Sequence, residues 1–157
     1  MKTLKIFATS FFIALMITFC AAGTTFAASA YDMNAEAVQL LNQLRIKHGL
    51  NALSWNPNSD LQKAAQLRAR EIEDYFSHTR PDGSDCFTVF KQFGLRYSHC
   101  GENIAYGTNL SPAGVTEMWI NSRGHYKNMI TPDFREIGLA CHISGDLVYW
   151  VQLFYTR

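Results

Sequence analysis

Apolar positions recur at helical spacing through the first half of the chain and at strand spacing near its end. Ala37, Val38, Leu41 and Leu44 share one face of a helix, with Asn34 the expected cap, Lys47 and His48 in the last turn and Gly49 as the stop. Asn56-Pro57 opens a second helix that turns Leu61, Ala64, Ala65, Ile72 and Phe76 inward. Its other positions, Lys63, Arg68, Arg70, Glu71, Glu73 and Asp74, form a charged face expected to be solvated. A short helix is expected over residues 85–92, broken by Gly94, and Ser111-Pro112 begins another that carries Val115, Met118 and Trp119.

The period then changes to two. Ile137, Leu139, Cys141 and Ile143 lie on one face, Ser144-Gly145-Asp146 turns the chain, and residues 147–155 return as a second strand. That strand is apolar on both faces, unlike a sheet with one wetted side, so both faces must be covered by helices. The predicted fold is α+β: a three-layer α-β-α sandwich around a small, mainly antiparallel central sheet. Gly138 and Ala140 would let one helix approach that sheet closely.

Composition adds a compartment. Lys2 and Lys5, the apolar run over residues 6–19 and Ala28-Ser29-Ala30 read as a signal peptide over residues 1–30, cut after Ala30 or after Ala27. The run is short for a bilayer span, and Phe19 before Cys20 fits poorly with lipoprotein processing. Residues 31–157 then form one domain of about 127 residues, expected to be secreted, monomeric and without a transmembrane anchor. Removing Lys2 and Lys5 takes the formal charge from +1 to −1, which argues against nucleic acid and anionic membrane surfaces as partners. Cys86, Cys100 and Cys141 remain, suggesting one disulfide and one free thiol. Three pairings are open; Cys100–Cys141 is favoured because both flank segments read as adjacent strands. Cys86 opens an apolar helix and reads as a buried, inert thiol.

The candidate chemistry lies in three glycine-marked motifs. They place His78 in Ser77-His78-Thr79-Arg80-Pro81-Asp82-Gly83, Glu102 in Gly101-Glu102-Asn103-Ile104-Ala105, and His125 in Arg123-Gly124-His125-Tyr126. Two imidazoles and a carboxylate suit a divalent-metal site or the acid/base set of a cleft. Asp82-Gly83 reads as a turn, and Trp119 and Trp150 as core. Arg80 is expected in a salt bridge at the rim, and Asn103 in a turn, tying backbone groups.

With these motifs, the chain resembles the CAP superfamily of cysteine-rich secretory, antigen 5 and pathogenesis-related 1 proteins, whose domain is also called SCP. It is most similar to the bacterial, secreted single-domain branch. Leu40-Leu41-Asn42-Gln43-Leu44-Arg45, Trp119-Ile120-Asn121-Ser122-Arg123-Gly124-His125, Asn128-Met129-Ile130 and Trp150-Val151-Gln152-Leu153-Phe154 complete the pattern in family order over residues 33–157. The resemblance implies an α-β-α sandwich and a cleft bearing two histidines and two acids, in some members with zinc or another divalent ion. His78, Glu102 and His125 match three of those four, and Ser122 stands where the second acid would be.

The metal ligands expected are His78 and His125, with zinc the leading ion and magnesium or calcium the alternatives. Glu102 is either a third ligand or the group that orients a histidine. The function expected is a binding module, non-enzymatic or at most weakly enzymatic, for an extracellular peptide, lipid or cell-wall component. A metal-dependent hydrolase with Glu102 as base is the alternative, since no nucleophile elbow accompanies Ser77 or Ser122. A structural envelope or spore-coat component is the third, in which the histidines are hydrogen-bonded scaffold.

Overall fold

The structure, a computed structural model, describes residues 29–157; the signal-peptide reading falls almost wholly outside the described residues. Five helices and three strands follow in the order α1 (Ala30–Lys47), α2 (Asp60–Asp74), α3 (Thr88–Gln92), β1 (His99–Thr108), α4 (Pro112–Ile120), α5 (Arg123–Met129), β2 (Glu136–Ser144) and β3 (Leu147–Thr156). The hairpin read from the period-two pattern is β2–β3, turning at Gly145, whose φ of 57° suits glycine. β3 is central: the sheet order is β1-β3-β2, antiparallel throughout.

Both faces of β3 are covered, as its apolar residues on both faces require; Gln152 is its one buried amide. On one side Ala37, Val38 and Leu41 of α1, Val115 and Trp119 of α4 and Met129 of α5 pack on Leu139, Trp150 and Phe154. On the other, Leu61, Ala65 and Ile72 of α2 with Val89 and Phe90 of α3 pack on Ile104, Val151 and Leu153. The three-layer sandwich is confirmed. Its closest approach is at Gly138, where an added Cβ would lie 2.5 Å from the Leu61 carbonyl oxygen, so α2 sits directly on the strand.

Helix starts differ from expectation where a nearer hydroxyl wins. Ser29, not Asn34, caps α1 in a reciprocal capping box with Asp32. Asn34 is buried inside the helix and accepts from the Cys141 N–H at 2.8 Å. Ser59, rather than Asn56, caps α2 through the Gln62 N–H. Phe76 falls beyond the end of α2 and is exposed.

The expected Cys100–Cys141 disulfide is absent: among the described residues Cys86, Cys100 and Cys141 are all free thiols. Strand order explains it. Cys100 and Cys141 lie on β1 and β2, which β3 separates by two interstrand spacings, about 10 Å. They also face opposite layers, Cys141 toward α1 and Cys100 toward α2.

Candidate functional site

α2 stops at Tyr75, and the chain enters a loop that carries His78. The loop is closed on itself: the Cys86 N–H donates to the His78 carbonyl at 3.0 Å, and the Gly83 N–H to the Arg80 carbonyl at 2.9 Å. Gly83 has φ 83°, so Asp82-Gly83 is the turn expected from sequence. His78 itself is braced from below. Its Nδ1 lies 2.8 Å from Glu102 Oε1, which fixes the ring and leaves Nε2 for the cleft.

Glu102 is buried on β1, and its carboxylate is held by a second partner. Arg68 donates from Nε at 2.9 Å to one oxygen and from Nη2 at 3.2 Å to the other. The same guanidinium donates to Glu71 at 2.8 Å and to the Ser77 carbonyl at 2.9 Å. Glu71 in turn accepts from Arg80 Nε at 3.0 Å. The result is an unbroken series Arg80–Glu71–Arg68–Glu102–His78. Burial alone would push the Glu102 carboxyl up; the hydrogen bonds from His78 and Arg68 outweigh it and hold it below its ordinary value. The hydrogen bond to Glu102 raises the His78 pKa, against a smaller opposing effect of burial.

Arg68 therefore leaves the solvated face on which the sequence reading placed it: it is fully buried. The signal was present, because Arg68 stands seven residues after Leu61 and four before Ile72, so helical period puts it on the inward face. Arg80 forms a salt bridge to Glu71, as expected, but it is buried and not at the rim.

His125 reaches the cleft from the other side, on α5, a helix the sequence pattern did not reveal. Backbone anchors set its place. Asn103 Nδ2 donates to the His125 carbonyl at 3.1 Å, Asn128 Nδ2 donates to Asn103 Oδ1 at 2.8 Å, and Arg45 Nη1 donates to the Met129 carbonyl at 2.8 Å. Asn103 does tie backbone groups, but from the middle of a strand and not a turn. Gly101 leaves room for this: a Cβ there would come within 3.1 Å of the Phe134 ring and 3.4 Å of Asn128 Oδ1. Desolvation, then the charge of His78, lower the His125 pKa.

His78, His125 and Ser122 all line one cavity of about 540 Å³, together with Phe76, Ile104, Tyr106, Met118 and Trp119. Ser122 sits at the start of α5 with its hydroxyl free of any capping bond. Glu102 does not line the cavity; it stands behind His78. Trp119 and Trp150 are buried core side chains, although an edge of Trp119 borders the cavity. Of the apolar wall, Phe76 and Met118 were read as helix positions and not as cleft lining, and Tyr106 was not singled out in the sequence.

Cys86 also lies at the site: its sulfur and ligand atoms of His78 and Glu102 fall within 4.8 Å of one another. This trio does not fit a metal. Both Glu102 oxygens are taken by Arg68, and burial, then the Glu102 charge, push the Cys86 thiol far above its ordinary range. His78 and His125 both border the cavity, with Glu102 orienting His78 from behind.

The sequence matches the family model described as the cysteine-rich secretory protein family, CAP, over residues 38–154. The Bacillus subtilis protein YkwD, itself uncharacterized, is 37% identical over 131 residues, covering 82% of this chain and 48% of that protein. The chain thus spans about half the length of that relative. Among solved structures, an extracellular protein containing an SCP domain from Bacillus anthracis aligns with TM-score 0.65 and 24% identity over 85% of this chain and 45% of that one. An outer surface protein from Borrelia burgdorferi aligns with TM-score 0.74 and 22% identity over 83% of this chain and 96% of that one. NaASP2, solved with Zn²⁺, aligns with TM-score 0.55 and 14% identity over 78% of each chain. The fold and the three motifs define an SCP-type α-β-α domain. The chain belongs to the CAP family.

Proposed function

We propose that the chain is an extracellular binding module whose cleft engages its ligand at His78 and His125, with a divalent ion, zinc first, held between the two imidazoles. The observation that carries this reading is the division of labour around His78. Glu102, anchored by Arg68, occupies Nδ1, so Nε2 is aimed at a cavity that His125 also borders. Two ring nitrogens leave coordination positions for water or a ligand oxygen, and a bound ion would polarise that oxygen. Ser122, in place of an acid, keeps the site's negative charge low, so affinity for the ion is weak and the fold does not depend on it. NaASP2, a protein of the same fold solved with Zn²⁺, supports the choice of metal.

The geometry weighs against Glu102 as the base of a hydrolase. A carboxylate buried behind His78, paired to a guanidinium and held below its ordinary pKa has neither access nor basicity. Cys86, buried with its thiol pushed up, is no nucleophile. Residues 1–30 are read as an export signal; the surface and extracellular proteins of the same fold accord with that compartment.

The test is calorimetric titration of the mature, metal-stripped protein with zinc, beside the His78→Ala/His125→Ala double variant. Saturable binding that vanishes in the variant and weakens below about pH 6 is expected. Binding that survives the double substitution would overturn the assignment and leave the histidines as scaffold.

A further inference from the structure

The floor of the cleft is a sheet edge. β1 is hydrogen-bonded to β3 on one side, and no described strand pairs with its other side. In an antiparallel ladder, alternate residues exchange both main-chain bonds with the partner, while those between point N–H and C=O outward. The phase is set just beyond β1, where the Asn109 N–H donates to the Asp146 carbonyl in continuation of the β1–β3 register. Odd-numbered residues therefore face β3, and Glu102, Ile104 and Tyr106 present their main-chain groups to the outside. Two of these groups are met by side chains: Asn128 Nδ2 donates to the Glu102 carbonyl at 3.2 Å, and Trp119 Nε1 to the Ile104 carbonyl at a long 3.4 Å. The N–H groups of Ile104 and Tyr106 and the Tyr106 carbonyl have no partner among the described residues.

This stretch of the edge borders the cavity of His78 and His125, which Ile104, Ala105 and Tyr106 line. The outward main-chain groups repeat every second residue, at a spacing of about 7 Å along the strand. That repeat matches another polypeptide backbone; a sugar or an acyl chain does not supply donors and acceptors in this alternation. The walls match as well. On the α2 side stand Phe76 and Tyr106, packed edge to face with ring centroids 4.7 Å apart, and on the α4 side stands Met118, half exposed. Successive side chains of an added strand would point to these two walls in turn.

Building on the reading of this cleft as a ligand site, we propose that its ligand is an extended peptide segment that adds to the outer edge of β1 as a fourth strand. Its backbone pairs with Ile104 and Tyr106, and its alternate apolar side chains rest on Phe76 and Tyr106 and on Met118. Recession of the edge between the loop of His78 and helix α4 limits sheet-to-sheet association of folded copies while admitting a single chain.

The probe is a pool of acetylated, amidated hexapeptides alternating Phe, Leu or Val with Ser or Lys, added to the mature protein with and without zinc. Amide hydrogen exchange followed by NMR is expected to slow at Ile104 and Tyr106 by about tenfold or more at saturation. N-methylation of the bound peptide at an edge-facing residue should weaken it about tenfold, and Phe76→Ala should weaken it as well. No saturable binding at millimolar peptide, equal affinity of the N-methylated form, or unchanged exchange at Ile104 and Tyr106 would overturn the peptide inference. Should that happen while zinc still titrates His78 and His125, the metal-site reading stands; loss of the zinc response would overturn the underlying reading instead.

Discussion

His78 and His125 are the same side chain in the same cleft, but the molecule supports them in different ways. His78 sits on a loop, its ring more than half exposed, and is fixed through its side chain by a buried ionic series that ends at Arg80. His125 sits on a short helix and is fixed through its main chain by Asn103, which Asn128 holds in turn, while Arg45 anchors the end of the same helix at the Met129 carbonyl; none of the three bonds its ring. The pKa directions follow: the carboxylate brace raises His78, whereas burial and its charged neighbour lower His125. The cleft thus pairs one histidine whose protonated form is favoured by its surroundings with one whose neutral form is favoured.

The largest expected effect is on the brace. Arg68→Ala leaves Glu102 as an unpaired buried carboxylate, and denaturant unfolding should show a loss of about 3–5 kcal/mol. Arg68→Met combined with Glu102→Leu should recover most of that stability, because an apolar pair of similar volume has no charge to desolvate. A small loss in the single variant would mean that Arg68 and Glu102 are not the buried pair described.

Next comes the ligand role. Glu102→Gln keeps the shape of the brace but weakens its hold on the His78 ring, and calorimetry should show zinc affinity reduced about 10–100-fold. Unchanged affinity would mean that the His78 orientation is irrelevant to the site.

The smallest effect is in pH dependence. His78, raised in the folded state, contributes stability that is present below about pH 6.5 and is lost as pH rises through its folded value. His125 is lowered, so its contribution is present above about pH 6.5 and is lost as pH falls through its folded value. The two slopes oppose each other. Stability–pH curves of His78→Ala and His125→Ala should therefore depart from the parent in opposite directions, each only slightly given the exposure of His78. Departures of the same sign would break the comparison.

The sequence showed the two histidines and Glu102, but not Arg68, which anchors Glu102. The histidines were visible because each lies in a motif, and the hairpin because Ile137, Leu139 and Cys141 alternate cleanly before a Ser-Gly-Asp turn. Gly138 was readable as a point of close approach, and the structure places Leu61 against it. Arg68 was assigned by its charge to the outer face when its period placed it inside. Strand order was not legible, which is why Cys100 and Cys141 were taken for neighbours although β3 divides them. α5 escaped notice because Arg123-Gly124-His125-Tyr126 has no apolar stripe: one glycine and few buried residues leave it to tertiary hydrogen bonds.

The most direct measurement is NMR of the imidazole nitrogens of both histidines in the mature protein, during titration with zinc. The account predicts that Nδ1 of His78 keeps its proton, hydrogen-bonded to Glu102, while Nε2 of His78 and one ring nitrogen of His125 shift together at a single zinc equivalent. Zinc shifts at neither histidine, or metallation of His78 at Nδ1 with release from Glu102, would contradict it.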